Sequence, residues 1–202
     1  CSGNSLNFRS IAMALPAVSV IIPTYNRAYY VLQAIDSVRQ QTFSDYEIIV
    51  VDDGGCDGTQ QLLKQYAGDR FLCLRSDHNL GLAAARNLGI RAARGQFIAF
   101  LDDDDLWQPE KLARQIEIFE RAPDVALVHS GYRVIGTDGS ARDVQPQVRG
   151  QAYRQLLAWN SIAASSVIIR AQADPEEFSF DERLSGCADW DLWLRIARCH
   201  HI

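Results

Sequence analysis

Lysine is scarce in this sequence: Lys64 and Lys111 are the only two among 202 residues, and neither lies in a glycine-rich loop. A phosphate-binding P-loop ends in Gly-Lys-Ser or Gly-Lys-Thr, and Schiff-base catalysis needs a reactive lysine amine, so both classes are disfavoured. Positive charge is short overall, with 20 Lys and Arg against 25 Asp and Glu for a formal charge of −5. We therefore expect no nucleic-acid partner.

Paired cysteines and long apolar runs are also missing. The five cysteines are odd in number, widely spaced and without a Cys-x-x-Cys pair. This argues against a disulfide framework and a zinc site, and it favours a reduced, cytoplasmic setting. The longest apolar runs, near residues 18–22 and 48–51, fall far short of the roughly 20 residues that cross a bilayer. We therefore expect no transmembrane helix.

The first residues differ in character from the rest of the chain. Residues 1–16 begin with Cys1 rather than Met and mix Ser, Asn and Arg without a clear period. We interpret them as a leader, or as a remnant that does not belong to the fold. The remaining residues, 17–202, have about the size of one domain, for which roughly 150 residues is usual.

Strand and helix patterns alternate through the first half. Short runs rich in apolar and β-branched residues predict four strands, at residues 18–22, 47–51, 71–74 and 97–101. Helical spacing of apolar side chains follows each run, at residues 31–38, 62–66, 83–93 and 109–119. Pro23 is expected to close the first strand, and Pro109 to open the fourth helix. The alternation predicts a parallel, three-layer α/β sheet with right-handed crossovers.

The pattern changes beyond residue 124. Residues 125–129 and 132–135 predict strands, and Asp138-Gly139 predicts a hairpin turn. The apolar side chains of residues 190–196 predict a last helix. We therefore expect the second half to be mixed rather than doubly wound.

Acidic residues follow two of the predicted strands. Asp52 and Asp53 come after the second strand, and residues 102–105 are four consecutive aspartates after the fourth. In open α/β sheets, ligands bind outside the carboxyl ends of the strands, so this edge is the first candidate for a site. A carboxylate there can accept a hydrogen bond from a nucleobase or a ribose hydroxyl. The alternative is ordinary turn chemistry before Gly54-Gly55.

The four adjacent aspartates require a compensating charge. Like charges about 4 Å apart repel by about 4 kcal/mol at an effective dielectric constant near 20. In an extended segment, Asp102 and Asp104 point the same way and can converge on one cation, while Asp103 faces elsewhere. A few carboxylate oxygens suit Mg²⁺ or Mn²⁺ completed by substrate phosphates and water. The alternative is a solvated turn that caps a helix.

Two single residues are further candidates. Tyr25 follows the first strand, where its ring either stacks on a base or packs at the strand end. Asp189 opens the last helix beside Trp190 and Trp193, whose apolar surroundings would adjust its pKa for work as a general base. The alternative for Asp189 is a helix N-cap.

Five motifs in this order resemble the family-2 inverting glycosyltransferases with the GT-A fold, over about residues 17–198. The matching segments are VSVIIPTYNR (18–27), IVVDDG (49–54), NLGLAAARN (79–87), FLDDDD (100–105) and DWDLW (189–193). Each segment is weakly specific alone, but five in register are a strong signal. The resemblance implies a GT-A domain, a three-layer α/β/α arrangement with a mostly parallel central sheet.

The resemblance also implies a nucleotide site. In the family the first two segments hold the nucleotide, which carries over to Thr24, Tyr25 and Asp53, with Asp52 adjacent. The family's Asp-x-Asp motif maps to residues 102–104, and it places Asp103 near the sugar or the ribose.

A metal site and a catalytic base are implied in the same way. Asp102 and Asp104 are the implied ligands of Mn²⁺ or Mg²⁺, with Asp104 as the direct one. Asp189 is the implied base. The family's preceding Glu is replaced here by Ala188, and Arg86 matches an Ala-Arg-Asn segment without an assigned role.

The implied function is metal-dependent, inverting transfer of a sugar from a nucleoside-diphosphate sugar, expected to be a UDP-sugar, to a hydroxyl group. A saccharide or a lipid-linked acceptor in cell-surface polysaccharide or glycolipid synthesis is expected. The expected location is the cytoplasm, with room for peripheral association at the inner face of the cell membrane, although no amphipathic anchor is evident. The chain is expected to stop before the family's last acceptor-binding elements.

Two other functions remain open from the sequence. A nucleotidyltransferase of related fold also uses Mg²⁺ and acidic residues, but it usually carries a glycine-rich, basic loop where this chain has residues 23–27. A non-catalytic module that binds nucleotide sugars or glycans is the second alternative, because Ala188 departs from the family's pattern.

Overall fold

The computed structural model describes residues 15–171 and 178–202. The strands are β1 (Val18–Thr24), β2 (Tyr46–Asp52), β3 (Phe71–Arg75), β4 (Phe97–Phe100), β5 (Leu127–His129), β6 (Tyr132–Ile135), β7 (Ala141–Val144) and β8 (Val167–Arg170). The α-helices are α1 (Ala28–Arg39), α2 (Thr59–Leu63), α3 (Leu82–Ala92), α4 (Lys111–Arg121), α5 (Tyr153–Ala158) and α6 (Ala188–Cys199).

Most of the predicted leader lies outside the described residues, which begin at residue 15. At Ala17 the backbone already belongs to the sheet. Its N–H donates to the carbonyl of Asp45 (3.1 Å), and its carbonyl accepts from the N–H of Phe97 (2.9 Å). The hydrogen bonds of the sheet therefore begin at the expected start of the domain, while the leader itself stays a prediction.

The central sheet has six strands in the order β3-β2-β1-β4-β8-β5. The first four of these are parallel to one another, and β8 runs antiparallel to both β4 and β5. A separate antiparallel hairpin, β6 and β7, turns at the predicted Asp138-Gly139. The parallel first half and the mixed second half are both as predicted.

Helices cover both faces of the sheet. One core packs α1 and α4 against side chains such as Val20 and Ile22 of β1. The other core packs α3, α5 and α6 against Ile21 of β1 and Phe100 of β4, and Trp193 is among the side chains that α6 contributes to it. Because successive strand residues point to opposite faces, a strand that is covered on both sides is mainly apolar; β4 is apolar throughout, and β1 is apolar except for Ser19 and Thr24. The architecture is the predicted three-layer α/β arrangement.

Pro23 lies inside β1 rather than closing it. On the β4 side, the pairing of β1 ends at Ile21, whose carbonyl accepts from the N–H of Leu101 (3.0 Å). The N–H that proline lacks would point to this side, beyond the last pair, so no ladder bond is lost. On the β2 side the N–H of Asp53 still donates to the carbonyl of Thr24 (2.9 Å). The prediction was wrong by two residues, and the extension carries Thr24 to the sheet edge.

Two helices also differ from prediction. The segment 62–66 is not a continuous α-helix, because α2 ends at Leu63 and a 3₁₀ turn follows. Pro109 does not open α4, which begins at Lys111. The carbonyl of Pro109 accepts from the N–H of Thr42 instead (2.9 Å). Within residues 15–171 and 178–202, no helix has both the length and the apolar character needed to span a membrane.

Candidate active site

The carboxyl ends of β1, β2 and β4 lie side by side, because these strands are neighbours in the sheet. Their loops therefore meet at one edge. Thr24 Oγ1, at the end of β1, donates to Asp103 Oδ2 in the loop after β4 (2.7 Å), and both residues are buried. The structure thus joins two residues that are 79 positions apart and that were both predicted to serve the nucleotide site.

Two arginines compensate the acidic cluster, which we define as residues 102–105. Arg27 Nη1 donates to Asp103 Oδ1 (3.1 Å) and to Asp104 Oδ2 (2.7 Å). Arg86 Nη2 donates to Asp102 Oδ1 (2.5 Å). The compensation that the repulsion demands is therefore supplied by the chain itself. Asp102 and Asp104 bind different arginines here rather than one shared cation.

Burial and charge act against each other at Asp103. Burial raises the pKa of its carboxyl above the usual value, while the hydrogen bond from Thr24 and the charge of Arg27 oppose that rise. The charge of Asp103 in turn raises the pKa of Arg27. The guanidinium of Arg27, which is half-exposed, therefore places a permanent positive charge at the mouth of the site.

Asp53 organises the backbone at this edge. Its Oδ1 accepts hydrogen bonds from Ser76 Oγ (2.9 Å) and from the N–H of Leu80 (2.8 Å), and its Oδ2 accepts from the N–H of Gly81 (2.9 Å). Both carboxylate oxygens are therefore engaged in holding the turn from which α3 begins. The alternative role, turn chemistry before Gly54-Gly55, is seen at Asp52 instead, whose Oδ1 accepts from the N–H of Gly55.

Asp52 differs from its neighbour in having an oxygen without a hydrogen bond. Its Oδ1 accepts from the N–H of Gly55 (2.9 Å), whereas its Oδ2 is buried without a hydrogen-bond partner and lies 3.6 Å from Arg75 Nη1. Asp52 is only 1% exposed. A buried acceptor that lacks a donor is costly, and the nearby charge of Arg75 offsets part of that cost.

The loops after β1 and β2 are packed closely together. Asn26 has φ +53° and its Oδ1 accepts from the N–H of Cys56 (2.7 Å). A Cβ on Gly55 would lie 2.8 Å from Asp52 Oδ1, and a Cβ on Gly54 would lie 2.5 Å from the carbonyl carbon of His78. Only glycine fits this approach. The two glycines therefore let the loops close around Asp52.

Tyr25 stands at the same edge with its side chain 45% exposed. It is not a buried aromatic of the core, and more than half of its surface is covered, so packing at the strand end stays open as the alternative. Its ring is available for stacking, and its predicted contact with the nucleotide stays a prediction.

The sequence assigned no role to two residues of α3 that contact the site, Arg86 and Asn87. Arg86 is buried, with its guanidinium 5.1 Å from the centre of the Phe180 ring as well as bonded to Asp102. Asn87 Nδ2 donates to the carbonyl of Phe180, and Asn87 Oδ1 accepts from the N–H of Phe180, both at 2.8 Å. The only signal was a pair of polar residues within an alanine-rich helix. Helix α3 thereby ties the acidic cluster to the segment before α6.

Asp189 lies in the first turn of α6. The cap position belongs to Cys187, with φ +59°, so the N-cap alternative for Asp189 is wrong. Asp189 Oδ1 accepts from the N–H of Trp190 (2.8 Å). Ala188 packs into the core, so a small side chain suits the position at which the family has Glu. Among residues 15–171 and 178–202, no hydrogen bond or ion pair joins Asp189 to the acidic cluster.

Comparison with known sequences identifies the family. The model of the family described as Glycosyl transferase family 2 matches residues 19–171, which is most of the chain. The chain belongs to glycosyl transferase family 2. This confirms the family that the five motifs predicted.

Two curated relatives illustrate the range of this glycosyltransferase family. The UDP-Glc:alpha-D-GlcNAc-diphosphoundecaprenol beta-1,3-glucosyltransferase WfgD of Escherichia coli is 32% identical over 187 residues, covering 92% of this chain and 71% of WfgD. TuaG of Bacillus subtilis, named for teichuronic acid biosynthesis, is 38% identical over 130 residues, covering 63% of this chain and 51% of TuaG.

Solved structures share the fold of this family 2 chain. S. aureus TarS in complex with UDP-GlcNAc matches with a TM-score of 0.77 and 21% identity, over 91% of this chain and 54% of TarS. The mannosyltransferase PcManGT from Pyrobaculum calidifontis, in complex with GDP-Man and Mn²⁺, matches with a TM-score of 0.71 and 22% identity, over 94% of this chain and 54% of PcManGT. The predicted GT-A fold is confirmed, and the chain spans about half of each solved chain.

The donor set at the edge fits a hard divalent cation in a family 2 enzyme. Asp102 and Asp104 offer carboxylate oxygens, the ligands that Mg²⁺ and Mn²⁺ prefer. In the part of the chain that the structure describes, no three His, Cys, Asp or Glu side chains are grouped closely enough to hold a metal ion by themselves. Such a site suits an ion that takes its remaining ligands from substrate phosphates and water.

Proposed function

We propose that this chain carries the catalytic domain of a metal-dependent, inverting glycosyltransferase that uses a UDP-sugar. The observation that carries the proposal is the joined edge of the sheet, where Thr24 binds Asp103 and Arg27 binds both Asp103 and Asp104. Carboxylates and a guanidinium thus meet at the edge where open α/β sheets bind nucleotides, which supports the proposal.

The nucleotide is proposed to lie across the ends of β1 and β2. The unbonded Oδ2 of Asp52 accepts a hydrogen bond from the base, and the exposed ring of Tyr25 stacks on it. Asp53 acts through the turn it holds. Thr24 and Asp103 line the side towards the ribose and the sugar.

Asp102 and Asp104 are proposed to hold Mn²⁺ or Mg²⁺. When bound, the divalent ion would stabilise the negative charge that develops on the departing diphosphate. Arg27 adds a positive charge on the same side of the cleft. Arg86, buried beneath Asp102, keeps that carboxylate in place.

Asp189 is proposed as the general base. It takes the proton of the acceptor hydroxyl as that oxygen forms a bond to the anomeric carbon, and the bond from that carbon to the diphosphate oxygen breaks on the opposite face. A single attack from the opposite face inverts the anomeric centre. The position of Asp189 at the start of α6, a rigid helix fixed by the buried Trp193, supports this role.

Relatives support the choice of donor and acceptor. WfgD is named for UDP-Glc and for a diphosphoundecaprenol-linked acceptor, and TuaG for teichuronic acid biosynthesis. We infer that this chain also uses a UDP-sugar and a lipid-linked saccharide in cell-surface polysaccharide synthesis, at the cytoplasmic face of the membrane.

The first test is calorimetric titration of UDP into the purified chain with Mn²⁺ and then with EDTA, followed by assays of UDP-sugar hydrolysis and transfer. We expect UDP to bind only with the metal. Asp104→Ala should lose metal-dependent binding, and Asp189→Asn should keep donor binding but lose transfer. Normal turnover by either variant refutes its assignment.

The same assays separate the two rival functions. Release of pyrophosphate from a nucleoside triphosphate and a sugar phosphate would identify a nucleotidyltransferase. Donor binding without hydrolysis or transfer would identify a non-catalytic binding module. Failure to bind UDP, GDP and TDP would overturn the proposed nucleotide site.

A further inference from the structure

The stretch of the chain around α5 carries no acidic residue. Residues 144–173 contain no Asp or Glu, although the whole chain has 25 acidic residues and a formal charge of −5. Arg149 and Arg154 in this stretch are exposed, whereas Arg170 is turned inward and donates to the carbonyl of Phe119 (3.3 Å). The charged side chains that this stretch itself contributes to the surface are therefore all positive, while Asp189 and Asp191 lie in the first turn of the neighbouring α6.

The same stretch exposes two large apolar side chains at the end of α5. Leu157 and Trp159 are each 54% exposed, while Leu156, which precedes them, is buried in the core. Arg154 precedes Leu157 by three residues and so lies on the same side of the helix. We call Arg154, Leu157 and Trp159 the α5 surface. It combines a cation with an exposed indole and an aliphatic side chain.

The α5 surface adjoins the start of α6. Trp190 Nε1 donates to the carbonyl of Leu156 (2.7 Å), and Leu156 immediately precedes Leu157. Trp190 immediately follows Asp189, the proposed base. A partner seated on the α5 surface therefore lies next to the end of α6 that is proposed to activate the acceptor.

We propose that the α5 surface binds an anionic lipid bilayer. Tryptophan partitions to the interface between water and lipid, and arginine binds anionic headgroups. A second copy of this chain is a poorer occupant, because a two-fold interface would set the Arg154 side chains of both copies on the same patch. The inference deepens the proposed function, on which the lipid-linked nature of the acceptor rests.

The test is binding of the full chain to vesicles of phosphatidylcholine, with and without phosphatidylglycerol. Trp159 is a built-in reporter, because Trp107 and Trp193 are buried and the indole N–H of Trp190 is already bonded. We expect binding only to the anionic vesicles, weakening as salt is added, with tryptophan emission moving to shorter wavelength.

Variants locate the contact. Arg154→Gln should weaken binding about fivefold, the usual effect of one basic residue near an anionic surface. Trp159→Ser should weaken it at least about tenfold and remove the emission shift. Both variants should keep the wild-type circular dichroism spectrum and UDP affinity, since neither residue contacts the acidic cluster.

A matched control lies on α4. Ile118 is 45% exposed, close to the exposure of Leu157, but Glu117 and Glu120 flank it. Ile118→Ser removes a similar apolar area from an acidic face, and it should leave vesicle binding unchanged. An equal loss in Ile118→Ser would show that the effect is not specific to the α5 surface and would overturn the proposal.

Other outcomes also decide. Absence of binding to anionic vesicles, or equal binding by wild type and Trp159→Ser, overturns the inference. A dimer by light scattering that Trp159→Ser converts to a monomer, without vesicle binding, makes the α5 surface an interface between copies. A chain that binds UDP but no vesicle loses this inference alone, whereas one that binds vesicles but no nucleotide loses the proposed function.

Discussion

Arg27 and Arg86 bind different aspartates of the acidic cluster, and the two arginines differ in their exposure to solvent. Arg86 is buried and bonded to Asp102, while Arg27 is half-exposed and bonded to Asp103 and Asp104. An exposed ion pair is worth at most about 1 kcal/mol, so the contact of Arg27 with Asp104 is the one that a divalent ion would displace at low cost.

Removal of Arg27 should therefore strengthen binding of the metal alone. In Arg27→Gln, Asp104 loses its competing cation, and we expect the affinity for Mn²⁺ without nucleotide to rise by up to about fivefold. Electron paramagnetic resonance of free Mn²⁺ measures this directly. Arg114→Gln is the control, because Arg114 pairs with Glu110 on the exposed face of α4. Unchanged or weaker Mn²⁺ binding in Arg27→Gln would show that the two cations do not compete.

The neighbours Asp52 and Asp53 should respond differently to the same substitution. Asp53→Asn sets an amide NH₂ against a backbone N–H that the carboxylate now accepts, so we expect a loss of about 1–3 kcal/mol in unfolding free energy. Asp52→Asn can keep the bond of Oδ1 to Gly55 and loses only the longer ion pair with the half-exposed Arg75, so it should lose UDP affinity with a smaller loss of stability than Asp53→Asn. Urea unfolding and UDP calorimetry on both variants measure the contrast. Equal stability losses would contradict it.

At the scale of helices and strands, sequence patterns predicted the sheet well for a physical reason. Strands covered on both faces are mainly apolar, so β1, β2 and β4 can be recognised from short apolar runs in the sequence. The predicted end of β1 at Pro23 was wrong, because a missing proline N–H breaks a strand only where the neighbouring strand continues alongside it. The end of β4 is not visible in the sequence of β1.

Part of the candidate site could be predicted from the sequence for a similar reason. Residues that follow strands are known to meet at the sheet edge, and this placed Thr24 near Asp103. The roles of Arg86 and Asn87 could not be predicted, since their partners lie 16 and 93 positions away and are set by packing. Nothing local marks either residue as a contact of the acidic cluster or of Phe180.

Helix α4 begins with a buried cation. Lys111 Nζ has no hydrogen-bond partner and lies 4.0 Å from the centre of the Trp107 ring. Burial lowers the pKa of Lys111 well below its usual range. A positive charge at a helix N-terminus also opposes the helix dipole. The cation–π contact offsets only part of these costs.

Lys111→Met should therefore stabilise the fold at neutral pH. Below its usual pKa of about 10.4 the unfolded chain binds the proton, while the folded chain releases it once the pH passes the lowered value. The unfolding free energy of the wild type thus rises with pH through that window, and the advantage of Met shrinks towards pH 10. Urea unfolding at pH 7 and pH 10 measures this. Lys64→Met, at the exposed other lysine, is the control; an equal gain there would contradict burial as the cause.

For the molecule as a whole, the topology explains why the site needs the entire sheet. The order β3-β2-β1-β4 places the first strand of the chain at the centre, between the two strands whose loops carry the carboxylates. The antiparallel β8 and helix α6 then bring Asp189 from the far end of the sequence onto the same domain. Binding at this edge therefore couples loops that are anchored in both cores.

That coupling predicts a global stabilisation by ligand. A ligand present at about 100 times its dissociation constant adds about 2.7 kcal/mol to the unfolding free energy, which is about 5–10 °C in Tm for a domain of this size. We expect such a shift by calorimetry with UDP and Mn²⁺, and its loss with EDTA. Asp104→Ala should unfold near the wild-type temperature without ligand and should show no Mn²⁺-dependent shift, because Asp104 is exposed and lies outside both cores. A shift that persists in EDTA, or in Asp104→Ala, would mean that UDP binds without the metal and that the acidic cluster serves the nucleotide through Arg27 alone.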